Sequence, residues 1–253
     1  MPQSDPPRPP GELLPTMYDL PSENIEEPGW PDQYHLWQSE FLGETFSPPN
    51  FPSEEIFVAS DLNLYYDIRH PRWYKRPDWF AVPGVPRFYQ QRDSRLISVI
   101  WQQGISPLIV VELLSPSTER EDLGQTQPRE NQRPTKWEAS ILRIPYYIIF
   151  NRYTDQLRVF ELVRSHYQEI SLHQKRLWLP EIKLGLGLWS CVYKGLERLW
   201  LRWYDSQERW VPTPEERERQ QVEQERQRAE QERQRAERLA EYLREMGINP
   251  DEI

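Results

Sequence analysis

Two acids in this chain stand where apolar runs meet polar ones, and a carboxylate in such a place needs a partner. Asp78 lies in Pro77-Asp78-Trp79-Phe80-Ala81-Val82, a proline-punctuated lead into a short apolar stretch. Glu112 interrupts Leu108-Ile109-Val110-Val111-Glu112-Leu113-Leu114, which otherwise reads as a fully buried strand. Burying a carboxylate is costly unless something pairs with it. A hard cation is the natural partner, because Mg²⁺ is typically held by one or two carboxylates plus waters and phosphate oxygens. Two strand acids converging on one metal predict a phosphodiester-cleaving site.

A basic, aromatic stretch runs directly into Asp78: Arg69-His70-Pro71-Arg72-Trp73-Tyr74-Lys75-Arg76. Its cations suit phosphates and its rings suit stacking on bases or sugars. The plainer reading is a loop whose cations pair with nearby acids. Net charge is −9, which opposes a broad nucleic-acid-coating surface but leaves room for a local one. Asp61 and Asp67 flank the run Leu62 to Tyr66, where each is either a turn residue or a further ligand. Neither a Gly-rich phosphate cradle nor a paired Cys/His zinc pattern occurs. The single cysteine, Cys191, excludes an internal disulfide and a multi-thiolate site, so a reducing, cytoplasmic setting is expected. No apolar run has membrane-spanning length.

The elements that must position these acids follow from patterning. Residues 1–32 are Pro-rich and acidic and read as an extended segment, and the 25 prolines gather in the first half of the chain. Helical spacing of Leu36, Trp37, Phe41 and Leu42 predicts a helix over Gln33 to Glu44. Strands are predicted at 56–59, 62–66, 79–82, 96–101, 108–114, 146–150, 157–162, 167–172, 184–189 and 199–203, with a helix over 135–143 that Thr135 would cap and Pro145 would end. Together they predict an α/β domain over residues 33–211. After Pro212-Thr213-Pro214, residues 215–246 are almost all Glu, Gln, Arg and Ala, with an exact seven-residue repeat starting at Val222 and Ala229. Glu–Arg pairs at i,i+3 predict a long solvated helix. Its apolar seam is good only at Leu239, Leu243 and Met246, which suits a coiled-coil homodimer at that end.

On Arg76-Pro77-Asp78-Trp79, Val110-Val111-Glu112-Leu113-Leu114-Ser115-Pro116-Ser117-Thr118, Lys136 and Pro145-Tyr146-Tyr147-Ile148, the chain resembles the PD-(D/E)xK nuclease superfamily. Within it the resemblance is to the Uma-type restriction endonucleases, over roughly residues 33 to 205. It implies a restriction-endonuclease-like core, a central mixed sheet flanked by helices, here with a long charged C-terminal helix. It further implies Mg²⁺ (or Mn²⁺) held by Asp78 and Glu112, with DNA as substrate. The signature lysine belongs two residues after the glutamate, where this chain has Leu114; Lys136 on the following helix is the matching residue. The resemblance gives it the role of orienting the attacking water and offsetting charge on the phosphate. Arg72, Lys75 and Arg76 are weaker candidates for backbone contact, and His35, Asp61 and Ser115 are accessory candidates.

The Lys136-to-Pro145 stretch is about two residues shorter than the family pattern, which would turn everything beyond by roughly 200° on a helix. Two outcomes therefore stay open. One is an active endonuclease; the other is a catalytically decayed nuclease fold kept as a protein-interaction module working through its C-terminal helix.

Overall fold

Helix α1, Gln33–Thr45, starts where it does because Asp32 caps it, its Oδ1 accepting from the N–H of Tyr34 at 2.8 Å and of His35 at 3.2 Å. The computed structural model describes residues 32–89, 93–114 and 142–246. Asp32, grouped by composition with the Pro-rich segment, is thus part of the folded body. Twelve strands follow in chain order: β1 Ile56–Ala59, β2 Leu64–Tyr65, β3 Tyr74–Lys75, β4 Trp79–Pro83, β5 Ser98–Val99, β6 Ile109–Leu113, β7 Tyr146–Asn151, β8 Gln156–Val163, β9 His166–Ile170, β10 Arg176–Leu179, β11 Leu184–Tyr193 and β12 Leu196–Tyr204. Two further helices are described, α2 Ile100–Gln103 and the terminal α3 Pro214–Glu245.

The central sheet has six strands in the order β1-β4-β6-β7-β8-β9. It is mixed: β6 and β7 run parallel, and every other neighbouring pair is antiparallel. The pleat sends alternate side chains to opposite faces. Trp79, Ala81, Ile109, Val111, Leu113, Ile148 and Phe150 join one core, while Phe80, Val82 and Val110 join another. The first face is covered by α1 together with a second sheet, β10-β11-β12, so a sheet shares the covering role expected of helices alone. The second face packs Phe57, Leu64 and Val85. This is the α/β, restriction-endonuclease-like core expected from the sequence.

Two departures have simple causes. The run Leu96 to Trp101 is a strand only at Ser98–Val99, after which Ile100–Gln103 turns helical. Gly104, at φ +79°, closes that turn by bonding its N–H to the Ile100 carbonyl, a left-handed position suited to glycine. Strands β3 and β10 go beyond the predicted set, because two and four residues carry too little alternation to stand out from their polar surroundings.

α1 also solves an edge problem. β12 borders the small sheet, and the Gln38 side chain serves its open edge. Gln38 donates from Nε2 to the Leu201 carbonyl at 2.9 Å and accepts the Leu201 N–H at 2.9 Å through Oε1, all without solvent exposure. One amide side chain thereby stands in for a neighbouring strand.

The chain divides into two compact units, one up to Val211 and one from Pro212 onward. In the second, α3 opens with a reciprocal cap. Thr213 Oγ1 accepts the Glu216 N–H at 3.1 Å, Glu216 Oε2 accepts the Thr213 N–H at 2.8 Å, and Pro214 occupies the first turn.

Replacing Gln38 with Leu should lower unfolding free energy by about 2–4 kcal/mol, since it strands a buried N–H and a buried C=O together. Urea denaturation checks this; a change near zero would mean that water or a neighbour takes over the Leu201 edge.

Candidate active site

β4 and β6 pair antiparallel, with Trp79 across from Val111, Phe80 from Val110 and Ala81 from Ile109. One step beyond that register Asp78 meets Glu112, and one step further Pro77 meets Leu113. Proline has no N–H, so the backbone ladder stops there. Side chains continue it instead. The Asp78 N–H donates to Glu112 Oε2 at 3.3 Å, and the Leu113 N–H donates to Asp78 Oδ2 at 2.7 Å. By strand parity both carboxylates belong to the face of Phe80 and Val110, opposite the face that carries α1.

The surrounding strand explains how a glutamate can stand there. Ile109, Val110, Val111 and Leu113 are all at most 2 % exposed, and each such burial contributes about 1.5–3 kcal/mol. That sum outweighs the cost of one half-buried carboxylate with a hydrogen-bond donor at hand.

The Asp78 peptide is clamped from two more directions. Its carbonyl accepts from Ser39 Oγ of α1 at 3.2 Å and from the Asp61 N–H at 3.3 Å. Burial pushes the Asp78 carboxyl up to about 6; the Leu113 N–H and His35 pull against that, while Asp61 and Asp32 add to it. Such a carboxylate gains from a nearby cation.

Asp61 itself is paired. Its carboxylate takes Arg76 Nε at 2.8 Å and Nη2 at 2.9 Å, with both side chains about one-fifth exposed (19 % and 20 %). Burial raises the Asp61 pKa and Arg76 draws it back part of the way. Arg76 is therefore engaged beside the site rather than extended from it. Asp67 is engaged as well, with His70 Nδ1 at 2.9 Å and Arg69 Nε at 3.5 Å, and His70 stacks on Trp73 at 3.9 Å. Much of the basic stretch is thus paired with neighbouring acids. Tyr74 and Lys75 form β3, and Arg72 is exposed. Lys136 and Ser115 lie outside the described residues.

His35 is fully buried, not on a helix surface. Its Nε2 lies 2.8 Å from the Leu113 carbonyl, and its Nδ1 lies 3.1 Å from Asp32 Oδ1. Arg152 grips the same Asp32 carboxylate with both terminal nitrogens. Burial pushes the Asp32 pKa up, but the bonds from His35 and the charge of Arg152 outweigh it and leave Asp32 below the usual carboxylate range. Asp32, Ser39 and Arg152 were not singled out from sequence. Only Asp32 carried a signal, an aspartate directly before the first residue of a helical pattern.

The donor set fits a hard divalent cation. Two carboxylates on one face, with phosphate and water to complete the shell, are what Mg²⁺ or Mn²⁺ asks for. Among the described residues no group of three or more His, Cys, Asp or Glu forms a closed metal cage.

Stability should report the burial of Asp78. Its folded-state value of about 6 lies above the ordinary carboxyl value of 3.8, so folding favours its protonated form. The ionised group therefore penalises the fold above about pH 6, and the penalty fades as pH falls toward about 4. Asp78→Asn keeps an acceptor for the Leu113 N–H and cannot ionise. In chelator-treated protein its Tm should exceed wild type at about pH 8 and converge with it near pH 4. A pH-independent difference would mean that burial does not control this carboxylate.

Among the described residues no helix is long and apolar enough to cross a membrane. A search of curated proteins gave no match. The Uma2 family, described as "Putative restriction endonuclease", matches residues 12–193. With a match over most of its length and a restriction-endonuclease-like sheet carrying Asp78 and Glu112 side by side, the chain belongs to the Uma2 family and has a nuclease-like function.

Proposed function

We propose that this protein is a Mg²⁺-dependent endonuclease that hydrolyses phosphodiester bonds in DNA. The observation that carries the reading is a pair of crossed bonds, Asp78 N–H to Glu112 Oε2 and Leu113 N–H to Asp78 Oδ2, which hold the two acids beside each other where β4 begins and β6 ends. Family membership supports nuclease chemistry in general; the metal and the choice of DNA are our inference.

Asp78 and Glu112 would hold the cation, which supplies activation of water and stabilisation of the leaving oxygen. The protein's own groups do the rest. The Leu113 N–H and the Ser39 and Asp61 donors hold Asp78 in place, so little reorganisation is needed when a phosphate arrives. Lys136 is assigned the orientation of the attacking water and the offsetting of charge on the phosphate. Arg72 and Lys75 are assigned to the nucleic-acid backbone, with Arg76 holding Asp61. The single cysteine supports a cytoplasmic setting.

Cleavage of supercoiled DNA with Mg²⁺ or Mn²⁺ tests this. Glu112→Gln should lower the rate by about 100-fold or more, beyond what loss of an outer-shell partner alone costs. Absence of cleavage by folded wild type over varied substrates would favour the decayed module instead.

We also infer that two copies associate through the far end of α3. Leu239, Tyr242 and Met246 are each 59 % exposed there, whereas the preceding turns are covered by pairs such as Glu215–Arg219 and Glu230–Arg233. Pairing of two nuclease domains suits cutting of both strands of a duplex. Light scattering on the full chain should give a dimer, and deletion of residues 215–253 a monomer. A full-length monomer at high concentration would rule this interface out.

A further inference from the structure

Leu113 carries an N–H and a C=O that belong to the peptide units on either side of its Cα, and among the described residues neither has a backbone partner on the β4 side. In a strand the N–H and C=O of one residue point to the same side, and on that side the continued register offers Pro77, which cannot donate. Asp78 Oδ2 takes the Leu113 N–H at 2.7 Å. The Leu113 C=O, left over, is met from α1 by His35 Nε2 at 2.8 Å. Since a carbonyl only accepts, that nitrogen carries a proton.

The ring is held from behind. Its Nδ1 meets Asp32 Oδ1 at 3.1 Å, and Asp32 is pinned by two helix N–H groups and by Arg152, the residue that follows β7. Arg152 is itself braced, with its guanidinium over the rings of Tyr34 at 4.8 Å and Tyr153 at 4.6 Å. His35 has no exposed surface, so no water competes for either ring nitrogen. Both ring nitrogens lie within hydrogen-bond distance of oxygen atoms.

The geometry points to His35 as a positioning residue: from α1 it holds the Leu113 carbonyl, and through the Leu113 backbone the N–H that bonds the Asp78 carboxylate, without touching substrate. Its effect on turnover rests on the nuclease reading above; its effect on the Leu113 peptide does not. Removing it leaves a buried carbonyl unpaired and lets the Leu113 N–H tilt away from Asp78. Partners behind a metal ligand typically change affinity or activity by about 10- to 100-fold when removed.

The test uses the full chain with ¹⁵N-labelled leucine, the Leu113 amide being assigned through its loss in Leu113→Ile. His35→Ala should move the Leu113 amide resonance upfield and speed its hydrogen exchange. It should also lower kcat by about 10- to 100-fold with KM for DNA little changed. His35→Gln, whose Nε2 can still donate to the carbonyl, should restore most of both. Should His35→Ala fail to fold, His35→Asn replaces it, because the shorter amide does not reach Leu113. An unmoved Leu113 amide, or a Gln variant as impaired as Ala, overturns the assignment. If wild type cleaves nothing, the nuclease reading falls and the amide measurement alone decides the role of His35.

Discussion

Because Pro77 cannot donate a hydrogen bond, the β4–β6 ladder ends one residue before it would otherwise end, and the site is built around that termination. An N–H at this position could pair with the Leu113 carbonyl and extend the ladder by one bond. With proline there, the Leu113 C=O has no backbone N–H to meet, and the Pro77 carbonyl takes the Asp61 N–H at 3.2 Å; both polar groups of Leu113 therefore bond side chains, since buried backbone groups do not stay unpaired. Asp78 supplies the acceptor and His35 the donor. The carboxylate is thus drawn to the strand end by a need of the backbone itself. Its second oxygen, Oδ1, takes no part in that bond.

The rest of the molecule can be ranked by its distance from this point. α1 contributes Ser39 to the Asp78 carbonyl and His35 to Leu113, and it is anchored in turn by Gln38 on the edge of β12. The small sheet therefore does more than cover apolar surface: it fixes the helix that fixes the strand end. On the other flank the Asp61–Arg76 pair holds a turn whose N–H reaches the Asp78 carbonyl. Three separate elements converge on one peptide unit. Such redundancy holds a buried acid where its charged form is disfavoured, the condition under which a bound cation gains most.

α3 follows different physics. Its exposed ion pairs are individually weak, and its stability rests on the Thr213–Glu216 cap, the proline in its first turn and the summed i,i+4 pairs. A helix supported in this way needs no core. That agrees with its standing as a separate unit whose exposed apolar side chains, Val222 apart, gather in its last turns.

Much of this was legible in the residues alone. Glu112 stood out because an acid in an apolar strand is expensive wherever that strand is buried, and the long charged helix stood out because its repeat is local. Asp78 was legible only beside Glu112, and Asp61 could be read equally as a turn or as a ligand. Its pairing with Arg76, fifteen residues later, depends on how the intervening chain folds back. The role of His35 was beyond sequence for a sharper reason. One ring nitrogen meets Asp32 three residues earlier, but the carbonyl met by the other lies 78 residues away on another element. Local chemistry, set by which side chain tolerates which environment, is written along the chain. The partner of each polar group is decided by which elements the core brings together, and that is a property of the packed fold.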